Sequence, residues 1–179
     1  MIPASELIIN TDGSIYHLNI MPEDLANTVI TVGDPDRVAE VSKYFDHIEL
    51  KKGKREFITH TGTVRGKRIS VISTGIGTDN IDIVLNELDA LVNIDFQSRA
   101  PKSDLISLDI IRVGTSGAVQ ADLPMGTILA SEIGIGFDAL MQLLSERSLL
   151  WKQRFNRKSG NSFRTCIFNL MWRRRVINY

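Results

Sequence analysis

Cysteine is almost absent from this 179-residue chain, and the single Cys166 excludes an internal disulfide framework. A reducing cytoplasm is therefore the expected compartment. Histidine is scarce too: His17, His47 and His60 are scattered and, with the one cysteine, offer no metal-ligand spacing, so no zinc is expected. No apolar run approaches the roughly 18 residues needed to span a bilayer. The opening Met1-Ile-Pro-Ala-Ser-Glu6 has neither the basic nor the apolar region of a secretory signal. A membrane partner is not expected. Internal repeats and low-complexity linkers are also missing.

What is present fits a globular core: 43% of residues are hydrophobic and 23% charged. The formal net charge of zero hides an asymmetry. Residues 142–179 hold nine Lys/Arg against one acid, Glu146, leaving 12 basic and 20 acidic residues in 1–141. The sequence therefore divides into an acidic body, 1–141, and a basic tail, 142–179.

The body alternates strands and helices. Thr28-Val-Ile-Thr-Val32 is a β-branched run ending at Gly33, the pattern of a buried strand. Asp34-Pro35-Asp36 starts a helix with Asp34 as N-cap and Pro35 at N1, and Val38, Val41 and Phe45 follow at helical spacing. Phe57–Thr63 and Lys67–Ser73 flank Arg65-Gly66 as a hairpin. The loop Thr74-Gly-Ile-Gly-Thr-Asp79 opens a second helix whose apolar face is Ile81, Val84, Leu85, Leu88, Leu91 and Val92. Residues 95–107 form a polar connection. Asp109–Val113 is a strand with Gly114-Thr-Ser-Gly117 as a turn at its end, and Gly126–Ala130 a further strand. This order indicates an α/β sandwich, in which ligands bind beyond the carboxyl ends of the strands. The tail shows neither helical nor alternating periodicity.

Arg112 lies inside an apolar strand, where a guanidinium is costly to bury without a partner. The following Gly114-Thr115-Ser116-Gly117 supplies N–H groups and hydroxyls, and guanidinium binds phosphate through a bidentate fork. The alternative is an arginine paired with a carboxylate at the sheet rim. Gly33-Asp-Pro-Asp-Arg37 has the same character: Gly33 admits close backbone approach, and Arg37 adds charge in the first helical turn. Its plainer reading is a capped helix with an exposed arginine. Arg55 sits in the basic run Lys51–Phe57, which reads as a solvated strand edge. His17 reads as a surface or packed histidine.

Four segments occur in order: Val32-Gly-Asp-Pro-Asp-Arg-Val38, Lys54-Arg-Glu-Phe57, Ser73-Thr-Gly-Ile-Gly77 and Ile111-Arg-Val-Gly-Thr-Ser-Gly-Ala118. Together they resemble the nucleoside phosphorylase family that includes uridine phosphorylase, over roughly residues 15–141. The resemblance implies a three-layer α/β/α sandwich with a mixed central sheet, incomplete at the C-terminus. It implies that Gly33, Arg37, Arg112 and Thr115 bind phosphate, that Arg55 reaches the phosphate of a neighbouring subunit, and that His17 crosses the dimer interface to the ribose 5′-hydroxyl. It further implies a homo-oligomer built from dimers, hexameric in many members. The substrates would be a nucleoside and inorganic phosphate, with no other cofactor. Some members hold a monovalent cation at positions matching Glu56 and Ile76. Asn80 stands where those members have serine, so no cation is carried over and no metal is expected.

The resemblance stops near Gly136–Met141. The family's later segments, which read the base and hold the ribose hydroxyls, have no counterpart in 142–179. A C-terminally truncated enzyme is therefore expected, its tail poorly ordered and derived from a shifted reading frame. The expected activity is phosphate-dependent cleavage of uridine, a pentosyltransferase reaction, with a purine nucleoside as the alternative substrate. Two readings of another kind are an inactive fragment and a nucleic-acid binder, the latter resting on the basic tail with Trp151, Phe155, Phe163, Phe168 and Trp172. No nucleic-acid-binding motif accompanies that charge, so nucleic acid is not the expected partner. A dinucleotide-binding oxidoreductase is weaker still, since no Gly-x-Gly-x-x-Gly follows the first strand.

Overall fold

The computed structural model of the chain describes residues 1–131 and, as backbone, 164–171. The β-branched run forms β1 (Thr28–Val32), followed by α1 (Asp36–Ser42). A meander comes next: β2 (His47–Lys54), β3 (Phe57–Val64) and β4 (Lys67–Ser73). Arg65 and Gly66 both take positive φ, 49° and 77°, as a two-residue primed hairpin turn requires. The long helix α2 (Thr78–Asn93) leads to the short hairpin β5 (Ile94–Asp95) and β6 (Ala100–Pro101), then β7 (Asp109–Ser116), β8 (Ile128–Ser131) and β9 (Arg164–Met171).

Seven strands form one mixed sheet in the order β2-β3-β4-β1-β7-β9-β8. β1 runs parallel to both β4 and β7, with Thr31 opposite Arg112. Alternation along the strands builds two cores on opposite faces. Val29 and Ile72 join Val84, Leu88 and Leu91 of α2, while Val32 and Val71 pack with Val38 of α1. A helix on each face of a mixed sheet is the three-layer arrangement expected from the sequence. No helix among the described residues is long and apolar enough to cross a membrane.

Several boundaries differ from the sequence reading. α1 begins at Asp36 with Pro35 in the cap position, and it ends at Ser42, so Phe45 packs from beyond the helix. Leu85, assigned to the apolar face of α2, is 44% exposed, and Ile83 packs on the core instead. Gly114-Thr115-Ser116 are not a turn. They continue β7, because β9 pairs with that strand as far as Ser116, beyond the point where β1 ends. The tail also contributes Arg164–Met171 as a strand between β7 and β8, where aperiodic chain was expected. Thr165, Ile167 and Phe168 are residue types that suit a strand. The remaining expectation of poor order in 142–179 lies outside the described residues.

Candidate active site

At the carboxyl end of β1 a side chain of β7 comes close to the backbone. A Cβ placed on Gly33 would stand 3.1 Å from Arg112 Nη2 and 3.2 Å from Ile76 Cγ2, so Gly33 is the residue that lets the guanidinium lie over the backbone. Arg112 Nη1 donates to Thr74 Oγ1 at 3.1 Å. Thr74 is buried, and its backbone N–H is fixed on Val32 O at 2.8 Å, so the hydroxyl that aims Arg112 is itself held by β1. Gly75 then turns the chain with a φ of +66° toward α2.

Burial pushes the Arg112 guanidinium below its ordinary value, and the charge of Arg37 adds to the effect. Two cations thus repel each other at one spot. The ion pairs among the described residues are His17–Glu87, Lys43–Glu40, Lys52–Asp24 and Arg68–Glu49, and neither Arg112 nor Arg37 takes part. The carboxylate partner that would make Arg112 a structural residue is missing from this set. A half-buried guanidinium with one neutral partner and a cation beside it is arranged to receive an anion from outside.

The start of α1 contributes little of its backbone to such an anion. Asp36 N–H donates to Asp34 Oδ1 at 3.0 Å, and the N–H groups of Arg37 and Val38 donate to Asp34 O and Pro35 O. The capped-helix reading therefore holds for these amides, and the exposed Arg37 side chain is what the segment offers. Thr115 is exposed on β7, three residues past Arg112.

Arg55 and His17 lie at the same end of the sheet but in another part of it. Arg55 is exposed at the β2–β3 turn with a φ of 56°, and β3 is three strand positions from β7. At about 4.8 Å per step, that places the two backbones roughly 14 Å apart. His17 sits against Phe57 at the start of β3, ring centroids 6.2 Å apart, with Nδ1 2.7 Å from Glu87 Oε1. The structure thus brings together Gly33, Arg112 and Arg37, and separates Arg55 and His17 from them. Sequence reasoning did not single out Thr74 or Glu87. Thr74 opens the glycine loop and was visible only as part of it, whereas Glu87 looks like any carboxylate on a helix. No group of His, Cys, Asp and Glu able to hold a metal occurs among the described residues.

This sandwich with a cationic rim defines a class. A model of the phosphorylase superfamily matches residues 27–148, and the chain belongs to that family. It is 34% identical over 124 residues to a uridine phosphorylase of Thermococcus kodakarensis, covering 69% of this chain and 40% of that protein. A uridine phosphorylase of Treponema pallidum is 34% identical over 133 residues, covering 74% of this chain and 46% of that protein. Among solved structures, a Trypanosoma brucei nucleoside phosphorylase described as showing uridine phosphorylase activity superposes with a TM-score of 0.71 at 36% identity. It covers 78% of this chain and 47% of its own. Purine nucleoside phosphorylases of the DeoD type match more weakly. The chain spans less than half the length of the curated relatives it matches.

Proposed function

We propose that the site binds inorganic phosphate as co-substrate for cleavage of a nucleoside, uridine first, to free base and ribose 1-phosphate. The observation that carries this reading is the Arg112–Arg37 pair beside Gly33, two cations without a carboxylate between them among the described residues. Phosphate attacks the anomeric carbon as the base departs, and the sugar passes through an oxocarbenium-like state. Arg112 and Arg37 fix the dianion beneath it, and Gly33 makes room; a hydroxyl from Thr115 joins them only if the end of β7 opens into a turn, since strand alternation sets Thr115 on the other face. Catalysis is by positioning and electrostatics, with no protein nucleophile and no cofactor besides phosphate.

Arg55 and His17 act on a neighbouring copy's site, Arg55 at its phosphate and His17 at the ribose 5′-hydroxyl, in a dimer-based homo-oligomer. Their separation from Arg112 within one chain supports this reading. Uridine is preferred over purine nucleosides because the uridine phosphorylases are the stronger matches. A cytoplasmic location fits a chain with one cysteine.

The test is phosphorolysis by the purified 179-residue chain, with uridine and inosine compared in the presence and absence of phosphate. Phosphate-dependent release of uracil is the expected result. Release of neither base, with a longer uridine phosphorylase active alongside, would remove the activity from this chain and leave a phosphate-binding fragment.

A further inference from the structure

The corner around His17 is built differently from the arginine site. Glu87 reaches from α2 to the segment before β1 and collects its donors at once. Oε1 lies 2.7 Å from His17 Nδ1 and 3.0 Å from His17 N, while Oε2 lies 3.1 Å from His17 N and 2.8 Å from Leu18 N. The Glu87 side chain is only 13% exposed. On the other side, Lys54 Nζ donates to Tyr16 O at 2.8 Å and stands 3.7 Å from the centroid of the Tyr16 ring. Tyr16 and Phe57 then flank the imidazole edge-on, at 4.7 and 6.2 Å. Backbone and ring are both clamped.

An ionised carboxylate only accepts hydrogen bonds, so Nδ1 must carry the proton that meets Oε1. In the neutral ring Nε2 then holds a lone pair, since the partner of one ring nitrogen decides the state of the other. Nε2 makes no hydrogen bond among the described residues, and the ring is 26% exposed. A free, oriented acceptor of this kind suits a hydroxyl donor.

We propose that Glu87 is a positioning residue: it fixes His17 as the Nδ1–H tautomer so that Nε2 accepts a hydrogen bond from a hydroxyl of the nucleoside sugar. That the hydroxyl belongs to a nucleoside rests on the function proposed above; the tautomer does not. Substituting Glu87→Gln tests the chemistry with little change of shape. The amide oxygen still accepts from the His17 and Leu18 backbone, but the NH2 group takes the place of Oε1 and donates to Nδ1. Nε2 then carries the proton and repels the donor it served.

The experiment is long-range 1H–15N NMR of the imidazoles in the full chain, wild type and E87Q, in mildly alkaline buffer. It is paired with KM and kcat for uridine and 5′-deoxyuridine. The expected result is a proton on Nδ1 in the wild type and on Nε2 in E87Q. The advantage of uridine over 5′-deoxyuridine in KM should fall about tenfold in the variant, with kcat changed less. A wild-type proton on Nε2 overturns the proposal by itself, whether or not the variant folds. An E87Q ring that keeps the wild-type tautomer, with the KM ratio unchanged, overturns it as well. Failure of the wild type to cleave either nucleoside strikes the proposed function, while the tautomer still decides the role of Glu87.

Discussion

Beside Gly33, burial and the neighbouring charge of Arg37 disfavour the charged form of Arg112, while along the same rim His17, Glu87, Lys54 and Tyr16 satisfy one another within the chain. The first region holds positive charge that the protein does not neutralise among its described residues. The second is closed on itself except at one ring nitrogen. A half-buried cation without a counter-ion is unstable unless something from outside completes it, so the first region is read as a ligand site. Interlocked hydrogen bonds at the second hold geometry, so it is read as an orienting device.

Removing charge from the first region should have the largest effect. Arg112→Gln is expected to lower phosphate-dependent cleavage by a factor of about 10² to 10³, the usual loss when one electrostatic donor to a transition state is removed. Steady-state kinetics at varied phosphate checks this. An activity within twofold of wild type would mean that Arg112 is structural after all. Because the guanidinium has no ion pair to lose among the described residues, the substitution should not lower thermal stability.

Crowding the same region should have the next largest effect. In Gly33→Ala the added methyl meets Arg112 Nη2 at 3.1 Å and Ile76 Cγ2 at 3.2 Å, so the guanidinium must move by a few tenths of an ångström. Phosphate affinity by calorimetry is expected to drop about tenfold, equivalent to about 1.4 kcal/mol. The same substitution at exposed Gly117, where a Cβ meets nothing within 4 Å, should leave affinity unchanged.

Away from the rim, His60 carries a pH dependence of its own. Its Nδ1 lies 2.7 Å from Ser42 Oγ, it pairs across the sheet with Lys51, and burial, then the Lys51 charge, holds its imidazole below the usual value. The folded protein thus keeps the ring neutral while the unfolded chain protonates it near pH 6.5. The contribution to stability is fully present above that pH and is lost as pH falls through the lowered folded value. The melting temperature should decline between pH 7.5 and pH 5, and less steeply in His60→Gln. Equal slopes would remove His60 as the cause.

The smallest effect is expected at Thr59, whose Oγ1 is buried with no partner among the described residues. Thr59→Val keeps the shape and removes the unsatisfied hydroxyl, so it should raise stability by about 1 kcal/mol in urea unfolding.

Much of this arrangement was legible in the sequence where the signal is local. A β-branched run marks β1, Arg65-Gly66 marks the hairpin of β3 and β4, and the apolar spacing of Val84, Leu88 and Leu91 marks α2. Arg112 stood out because a charge in an apolar strand calls for an explanation. What was missed depends on contacts between distant residues. Thr74 is 38 positions from Arg112 and Glu87 is 70 from His17, so nothing beside either residue announces the bond. The glycine and hydroxyl residues of Gly114–Ser116 suggest a turn, but pairing with β9 supplies the hydrogen bonds that make them strand. The roles of Arg55 at a neighbouring copy's phosphate and of His17 at its ribose rest on resemblance alone, and within one chain both lie apart from Arg112.

The most direct test of the central claim is a titration of the 15N-labelled chain with inorganic phosphate, following the backbone amides of Gly33 and Thr74 and the Arg112 side chain. Saturable shifts are expected at these groups, none at His60, and all of them should be lost in Arg112→Gln. No saturable shift, or binding that persists in Arg112→Gln, would contradict it.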